Sequence, residues 1–358
     1  MICLNMIVKN EAHCIARCLR SVRPYVDAAV IVDTGSTDET CAIIEAELPE
    51  KTVLIFKRPW TGFGPNRTEA ARLCKPFAAQ HPDAKLLFID ADETLKVTGD
   101  FSPPDADLVV VSSQYPEGVE GTDRLLARAS IPWVFEPITH ETIRRADGLP
   151  LNVVRWDGAR IIEHNDSARR NSGEKNSEDA RLLSEWVKDH PRDERAWFYL
   201  GQALRNIGEL EAAGVAYVTC VNSNPTHEHA FFSLLCIGHI AATIGIDPRL
   251  DYTRAYATDR DRAEPLCSLA EWYIGRGDFL TAELYARQAC ALQEPEYGIF
   301  LDRSVYRWKR WSTLGKALCG AGRLREALEL HSVDRGEPPE EKARIAAGMA
   351  WIREKLGA

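Results

Sequence analysis

The chain has 358 residues, of which 45% are hydrophobic and 27% charged, an ordinary composition for a soluble globular protein with room for two domains. Its formal net charge of −9 argues against a protein built as a whole to hold nucleic-acid phosphates, although a local basic strip stays open. No apolar run approaches the roughly 20 residues of a membrane span, and the N-terminus lacks a signal-peptide pattern. The ten cysteines include no Cys-x-x-Cys pair, so we expect free thiols and a cytoplasmic location.

The first part of the chain alternates between short apolar runs and amphipathic segments. Helical patterns separate the first four runs from one another, which is typical of a parallel, Rossmann-like sheet. In such a sheet, ligands bind at the carboxyl ends of the strands. The runs with the length of a strand are residues 2–8, 28–32, 52–56, 86–89, 108–112, 124–129 and 153–156.

The second half of the chain is predicted to be helical and repetitive. A leucine, a glycine, an apolar residue and an alanine recur at identical offsets in three copies: Leu200, Gly208, Leu210, Ala213; Leu269, Gly277, Phe279, Ala282; Leu314, Gly322, Leu324, Ala327. The spacing fits tetratricopeptide-like helical hairpins with a degenerate copy near Leu234, and an unrelated helical bundle is the alternative. Residues 166–178 are polar and rich in Gly and Ser, so we predict a loop or linker there and domains at 1–178 and 179–358.

Two carboxylates follow the fourth apolar run. Asp90 and Asp92 sit two residues apart, where they can converge on one cation. Hard oxygen ligands suit Mg²⁺ or Mn²⁺, and these ions in turn suit a diphosphate. The alternative is an acidic turn that caps the next element and binds no ligand.

Four short motifs together resemble the inverting family 2 glycosyltransferases, which have the GT-A fold. They occur in the family's order and at the ends of predicted strands: Val-Lys-Asn-Glu-Ala at 8–12, Val-Asp-Thr-Gly-Ser-Thr-Asp-Glu-Thr at 32–40, Asn-Arg at 66–67 and Asp-Ala-Asp-Glu at 90–93. The subgroup in which this domain precedes tetratricopeptide-like helices, including peptide S-glycosyltransferases of the bacteriocin type, is the most similar. The resemblance implies an α/β GT-A domain with a Rossmann-like mixed sheet, followed by an all-α repeat domain.

The resemblance also implies which residues bind the sugar nucleotide. The donor-binding positions are Asn10, Glu11, Asp33, Arg67 and Asp90. Asp33 and Glu11 would face the nucleotide base and ribose, and Arg67 the diphosphate. Acids in turns and in the first turns of helices need no ligand, however, which is the alternative for Asp33 and Glu11. The order Gly-Pro-Asn-Arg-Thr at 64–68 departs from the family's commoner Ala-Arg-Asn, which bears on the role of Arg67.

The metal and the general base follow from the same resemblance. Asp92, with Asp90, would hold the metal beside the leaving diphosphate, and His164 would be a further ligand. A structural histidine is the alternative for His164. Glu141 is predicted to deprotonate the acceptor, with Asp166 next in line. A surface carboxylate in the first turn of a helix is the alternative for Glu141. The neighbouring His140 would orient Glu141 or touch the diphosphate.

A basic and aromatic cluster in the second half has two interpretations. It could contact an anionic or peptide acceptor, or it could be a solvated face of an amphipathic helix. Its members are Arg303, Tyr306, Arg307, Trp308, Lys309, Arg310 and Trp311.

We therefore predict a metal-dependent, inverting glycosyltransferase that uses Mn²⁺ or Mg²⁺ and a UDP-sugar donor, UDP-glucose or a related one. The acceptor would be a hydroxyl or thiol of a peptide, protein or glycan; a modified nucleobase in DNA stays open, and duplex nucleic acid is the least expected partner at this net charge. The helical repeats would present the acceptor or mediate homo-oligomerisation. The rival hypotheses are a non-catalytic helical-repeat scaffold with a degenerate transferase-like domain, and a nucleotidyltransferase, which would release pyrophosphate rather than UDP.

Overall fold

The computed structural model of the chain describes residues 1–114, 120–136, 141–168, 175–225, 228–295 and 300–357. The chain divides into two compact units, Met1–Trp186 and Val187–Ala358. The division falls inside a helix, Lys175–Asp189. That helix begins within the segment that the sequence predicted to be a loop or linker.

Ten strands lie in the first unit, counted over the described residues. They are β1 (Ile2–Val8), β2 (Ala28–Asp33), β3 (Thr52–Lys57), β4 (Lys85–Phe88), β5 (Glu93–Val97), β6 (Leu108–Gln114), β7 (Glu120–Arg128), β8 (Trp133–Glu136), β9 (Thr142–Arg145) and β10 (Val153–Glu163). Eight of them form one sheet in the order β3-β2-β1-β4-β7-β6-β10-β5, and β8 and β9 pair separately as an antiparallel hairpin.

The large sheet is mixed, as the resemblance implied, and not wholly parallel as the alternation of strands and helices predicted. β1 pairs in parallel with β2 and β4, and β2 pairs in parallel with β3. β7 runs antiparallel to both β4 and β6, and β5 runs antiparallel to β10. Because β4 ends at Phe88, Asp90 and Asp92 lie in the turn between β4 and β5.

Both faces of the sheet are covered, which explains the nearly continuous apolar runs of its central strands. Side chains of β4 alternate between two cores: Leu87 packs in the same cluster as Ile15, whereas Leu86 and Phe88 pack in the same cluster as Cys74. Every residue of β2 is buried. The helices of this unit that precede β4 are α1 (Ile15–Val22), α2 (Thr40–Glu47), α3 (Phe63–Leu73) and α4 (Lys75–Gln80).

The rest of the described chain is helical. After α5 (Lys175–Asp189) come α6 (Glu194–Asn206), α7 (Leu210–Ser223), α8 (Glu228–Thr243), α9 (Arg249–Thr258), α10 (Glu264–Ile274), α11 (Phe279–Ala291), α12 (Arg310–Gly320), α13 (Leu324–Leu330) and α14 (Pro339–Leu356). A π-helical stretch, Val305–Lys309, leads into α12. Across the described residues, no helix combines the length and the apolar character needed to cross a bilayer.

Helices α6 to α13 pack as successive tetratricopeptide-like hairpins, and the predicted repeat explains their turns. Gly208, Gly277 and Gly322 follow α6, α10 and α12, each at a φ between +75° and +86° that other residues rarely adopt. The alanines of the pattern are completely buried, which leaves room for the paired helix: Ala213, Ala282 and Ala327. The recurring offsets therefore mark one left-handed turn and one close helix contact in each hairpin.

Candidate active site

The loops that follow β1 and β2 are tied to each other at the carboxyl edge of the sheet. Asn10 takes a left-handed conformation, with φ +57°, that asparagine tolerates. Its side-chain Oδ1 accepts a hydrogen bond of 2.8 Å from the backbone N–H of Thr37, and its own N–H donates to Ser36 Oγ at 3.0 Å. The N–H of Glu11 donates to Thr40 Oγ1 at 2.8 Å. Asn10 therefore fixes the shape of this edge through contacts within the protein.

Asp33 ends β2 and closes the turn that follows it. The residue is 2% exposed, and its Oδ1 accepts hydrogen bonds from the backbone N–H groups of Ser36, at 2.9 Å, and Gly35, at 3.3 Å. Gly35 adopts a φ of +111° in this turn. These bonds are those of a turn-forming aspartate, which is the alternative that the sequence left open for Asp33.

Arg67 lies between two carboxylates. Its Nη2 donates to both side-chain oxygens of Asp90, at 2.6 and 2.8 Å. Its Nε lies 2.5 Å from Oε1 of Glu141. The side chains of Arg67 and Glu141 are 6% and 7% exposed, whereas that of Asp90 is 38% exposed. Although burial disfavours the charged guanidinium, the charges of Asp90 and Glu141 raise the pKa of Arg67.

The segment after β10 lies against Asp92 and Glu11. The backbone N–H of Ser167 donates to Asp92 Oδ2 at 3.2 Å, and that of Ala168 donates to Glu11 Oε2 at 3.1 Å. Burial raises the pKa of both carboxyls, and the charge of Asp90 adds to the effect at Asp92. Clustered carboxyls with raised pKa values are the electrostatic setting that a divalent cation would relieve.

His164 is joined to Asp92 through the backbone. β5 and β10 pair up to Glu93 and Glu163, and the N–H of His164 then donates to the carbonyl of Asp92 at 3.1 Å. The ring Nε2 of His164 lies 3.0 Å from Thr94 Oγ1. Burial, followed by the charge of Arg17, lowers the pKa of His164. The neutral imidazole is the form that binds metals, so the residue fits a ligand role.

Arg17 and Asp166 fix the position of the same segment. Two guanidinium nitrogens of Arg17, on α1, donate to the two oxygens of Asp166 at 3.0 and 2.7 Å. The hydrogen bond from Arg17 lowers the pKa of Asp166, which makes this carboxylate a weaker base. The sequence did not indicate this pair, because its partners are far apart in the chain and each is an ordinary polar residue locally.

A second group of metal-binding residue types lies next to Glu11. Ligand atoms of Glu11, His13 and Cys14 are all within 4.8 Å of one another. The Cys14 thiol donates to Glu11 Oε2 at 3.3 Å, and burial, together with the charge of Glu11, raises its pKa. A protonated thiol is a poor metal ligand, so this group is poorly suited to a cation. The predicted ligands Asp90, Asp92 and His164, which are all described, do not form a second group of this closeness in the structure.

The structure thus brings most of the predicted residues to one edge of the sheet. Asp92 and His164 are adjacent, Asp90 and Glu141 share Arg67, and Glu11 joins them through the segment after β10. His140 lies outside the described residues. Thr94, Arg17 and Ser167 contact predicted site residues without having been predicted themselves. Thr94 could have been noticed because it directly follows the acidic motif at 90–93. No pattern in the sequence indicated Arg17 or Ser167.

Comparison with known proteins finds one family match and several partial relatives. Residues 3–159 match the family described as Glycosyl transferase family 2. A Rickettsia felis protein described as an uncharacterized glycosyltransferase is 40% identical over 90 residues, which cover 25% of this chain and 28% of that protein. A TPR repeat-containing protein of Synechococcus elongatus is 28% identical over 230 residues, 59% of this chain and 54% of that protein. The solved structure of YrrB, a TPR protein, matches 50% of this chain and 85% of its own at 14% identity and a TM-score of 0.40.

Proposed function

We propose that the protein is a metal-dependent, inverting glycosyltransferase, because residues 3–159 match the family described as Glycosyl transferase family 2. The donor is a UDP-sugar, such as UDP-glucose, and the acceptor is a hydroxyl or thiol of a peptide, protein or glycan. The observation that carries the proposal is the Arg67 guanidinium, which contacts both Asp90 and Glu141. The buried side chain of Arg67 thereby links Asp90, in the acidic motif of the donor side, to Glu141, the carboxylate proposed to activate the acceptor.

Asp92, His164 and Asp90 are the residues that would hold Mn²⁺ or Mg²⁺. Two carboxylates and a neutral imidazole form a donor set that suits either ion, and Mn²⁺ in particular. When bound, the ion supplies positive charge beside the departing diphosphate. Asp92 carries the larger share of this role, because Asp90 also pairs with Arg67.

Glu141 is the proposed general base. The acceptor oxygen or sulfur forms a bond to the anomeric carbon as the bond from that carbon to the phosphate oxygen breaks. The proton of the acceptor passes to Glu141, and UDP leaves with the bonding electron pair. The ion pair with Arg67 supports this role because it holds the carboxylate in one place. Asp166 is the second candidate, and both of its side-chain oxygens accept hydrogen bonds from Arg17.

The second unit is proposed to present the acceptor or to mediate self-association, which are common uses of helical repeats. All ten cysteines are free, which supports a reducing, cytoplasmic setting.

Calorimetric titration with UDP, in the presence and absence of Mn²⁺, tests the donor site. We expect metal-dependent binding by the wild-type protein, its loss in Asp92→Ala, and wild-type behaviour in Asp157→Ala, whose side chain is 84% exposed. A panel of UDP-sugars scored for slow release of UDP then identifies the sugar without an acceptor. Release of pyrophosphate would indicate a nucleotidyltransferase, and the absence of metal-dependent UDP binding would favour the non-catalytic scaffold.

A further inference from the structure

Phe300 has an unusual backbone conformation. Its φ is +48°, and the other non-glycine residues with positive φ in the described part of the chain are Asn10 and Asn165. Asparagine tolerates the left-handed region, whereas a bulky side chain is a genuine outlier there. Phe300 is also 43% exposed, so a complete core does not hold it in place. A strained residue of this kind needs a specific contact to keep it where it is.

That contact is a set of aromatic rings on two neighbouring helices. The Phe300 ring lies 5.0 Å from Phe232 on α8 and 5.8 Å from Phe198 on α6, measured between ring centroids. His229 stacks on Phe198 at 4.6 Å. These are favourable distances for tilted and stacked rings. We call Phe198, His229 and Phe232 the aromatic notch.

The aromatic notch is one end of the seam between α6 and α8. Phe198 and Arg205 are seven residues apart on one stripe of α6, and Phe232 and Cys236 are four apart on one stripe of α8. Farther along the seam, Arg205 Nη1 donates to Cys236 Sγ at 3.0 Å. The polar contact of the seam is therefore made by α6 and α8 alone. The aromatic contacts also include the ring of Phe300, which lies in the segment before α12.

The chain beyond Phe300 is anchored independently of the aromatic notch. Lys309 Nζ donates to Asp302 Oδ2 at 2.7 Å, and the N–H of Ser304 donates to Asp302 Oδ1 at 3.0 Å. The N–H of Asp302 donates to Glu264 Oε1 at 3.4 Å. Because these contacts begin two residues after Phe300, the ring can leave the notch without displacing α12.

We propose that the aromatic notch is a docking site for an extended segment of a partner protein, which inserts one aromatic side chain, and that Phe300 occupies the site until the partner arrives. We infer an aromatic side chain on an extended segment because Phe300, the residue that contacts the notch in the structure, is aromatic and lies outside any helix. Departure of Phe300 relieves its backbone strain and so offsets part of the lost ring contacts. The inference concerns the second unit alone and stands whether or not the first unit transfers a sugar.

A synthetic peptide with the sequence of residues 297–305, labelled with fluorescein, is the probe. Its binding to the full-length chain is measured by fluorescence anisotropy. The key variant is Phe300→Gly, which removes the ring and accepts the positive φ without strain. If Phe300 fills the notch in more than nine molecules out of ten, its removal raises the apparent affinity for the probe about tenfold or more.

The controls separate docking from a purely structural role of Phe300. Phe300→Gly with Phe232→Ala should lose the gained affinity, and a probe with serine in place of its phenylalanine should bind neither variant. Leu280→Ser, at a residue that is 68% exposed, should bind the probe like the wild type. Equal probe affinity of the wild type and Phe300→Gly, with both folded by circular dichroism, would overturn the proposal. A wild-type dimer that Phe232→Ala abolishes would overturn the choice of partner in favour of a second copy of the chain.

Discussion

Arg67 and Glu141 form an ion pair in which Nε and Oε1 are 2.5 Å apart and both side chains are less than a tenth exposed. The same guanidinium binds Asp90, so one residue of α3 fixes two carboxylates from different loops. The resemblance to the family 2 glycosyltransferases implied a diphosphate contact for Arg67. In the structure its guanidinium contacts Asp90 and Glu141, the proposed base.

Glu141→Gln should retain metal-dependent UDP binding but lose sugar transfer by about 10²-fold or more, because the amide cannot accept the proton of the acceptor. The measurement is the rate of product formation alongside calorimetry with UDP. Glu136→Gln is the control, since Glu136 is about half exposed and pairs with Arg144 on the surface. Near-normal turnover of Glu141→Gln would assign the base to another residue.

Arg67→Met should lower the free energy of unfolding by about 3 kcal/mol, because it leaves the buried carboxylate of Glu141 without its cation. Denaturant unfolding measures the effect. Adding Glu141→Gln to this variant should restore part of the loss, as it removes the uncompensated charge. Arg20→Met, at an arginine whose side chain is 69% exposed and pairs with Glu47, should change stability much less. Equal effects of the two arginine substitutions would contradict the role given to Arg67.

Thr94→Val should weaken Mn²⁺ binding by about 10- to 100-fold, because it removes the hydroxyl that orients the His164 ring. The affinity is measured by Mn²⁺ titration in the presence of saturating UDP. Thr98→Val, at an exposed threonine just after β5, is the matched control. Unchanged Mn²⁺ affinity in Thr94→Val would argue that His164 is a structural histidine.

The raised pKa of Asp92 predicts a pH dependence of stability. The folded protein binds the proton of the Asp92 carboxyl more tightly than the unfolded chain, whose Asp92 has the ordinary pKa of 3.8. The contribution of Asp92 to the free energy of unfolding therefore falls as the pH rises from this ordinary value to the raised pKa. Asp92→Asn should therefore gain stability relative to the wild type as the pH rises. Thermal unfolding at a series of pH values measures this difference. A difference that does not change with pH would contradict a raised pKa of Asp92.

Two glycines of the first hairpin make a matched pair for the repeat unit. A Cβ on Gly201 would lie 2.7 Å from ring atoms of the buried Tyr217, whereas one on Gly214 would meet nothing within 4 Å. Gly201→Ala should cost about 1–3 kcal/mol of unfolding free energy through overpacking. Gly214→Ala, inside α7, should gain about 0.5–1 kcal/mol because alanine favours the helix. Similar changes for both would mean that α6 and α7 are not packed this closely.

The features that the sequence predicted depend on residues that are close together in the chain. The turns at Gly208, Gly277 and Gly322 follow from a fixed spacing, and the acidic turn after β4 follows from an apolar run that ends in Asp90. The contacts that complete the site are long-range. Ala168 bonds to Glu11, and Arg17 to Asp166, across more than a hundred residues, and neither pair differs in type from ordinary surface residues. The position of Phe300 was equally hidden, because its partners lie in helices of earlier repeats.

The basic and aromatic cluster around α12 makes many of its contacts within the surrounding helices. Tyr306 is buried and donates to Glu264 Oε2 at 2.9 Å, while Arg310 Nη1 donates to the carbonyls of Ala289 and Leu292 near the end of α11. Lys309 pairs with Asp302. Much of its charge therefore stabilises the surrounding repeat, because helix ends and buried acids need cations nearby.

The place of β10 in the sheet sets a condition on how the protein is assembled. β10 inserts between β6 and β5, and its pairing with β5 brings His164 to Asp92. A nascent chain that ends before residue 153 has the acidic turn but neither His164 nor the strand that pairs with β5. The proposed metal-binding set therefore becomes complete only after the last strand of the sheet has been synthesised, and we expect a fragment that ends before β10 not to bind the ion.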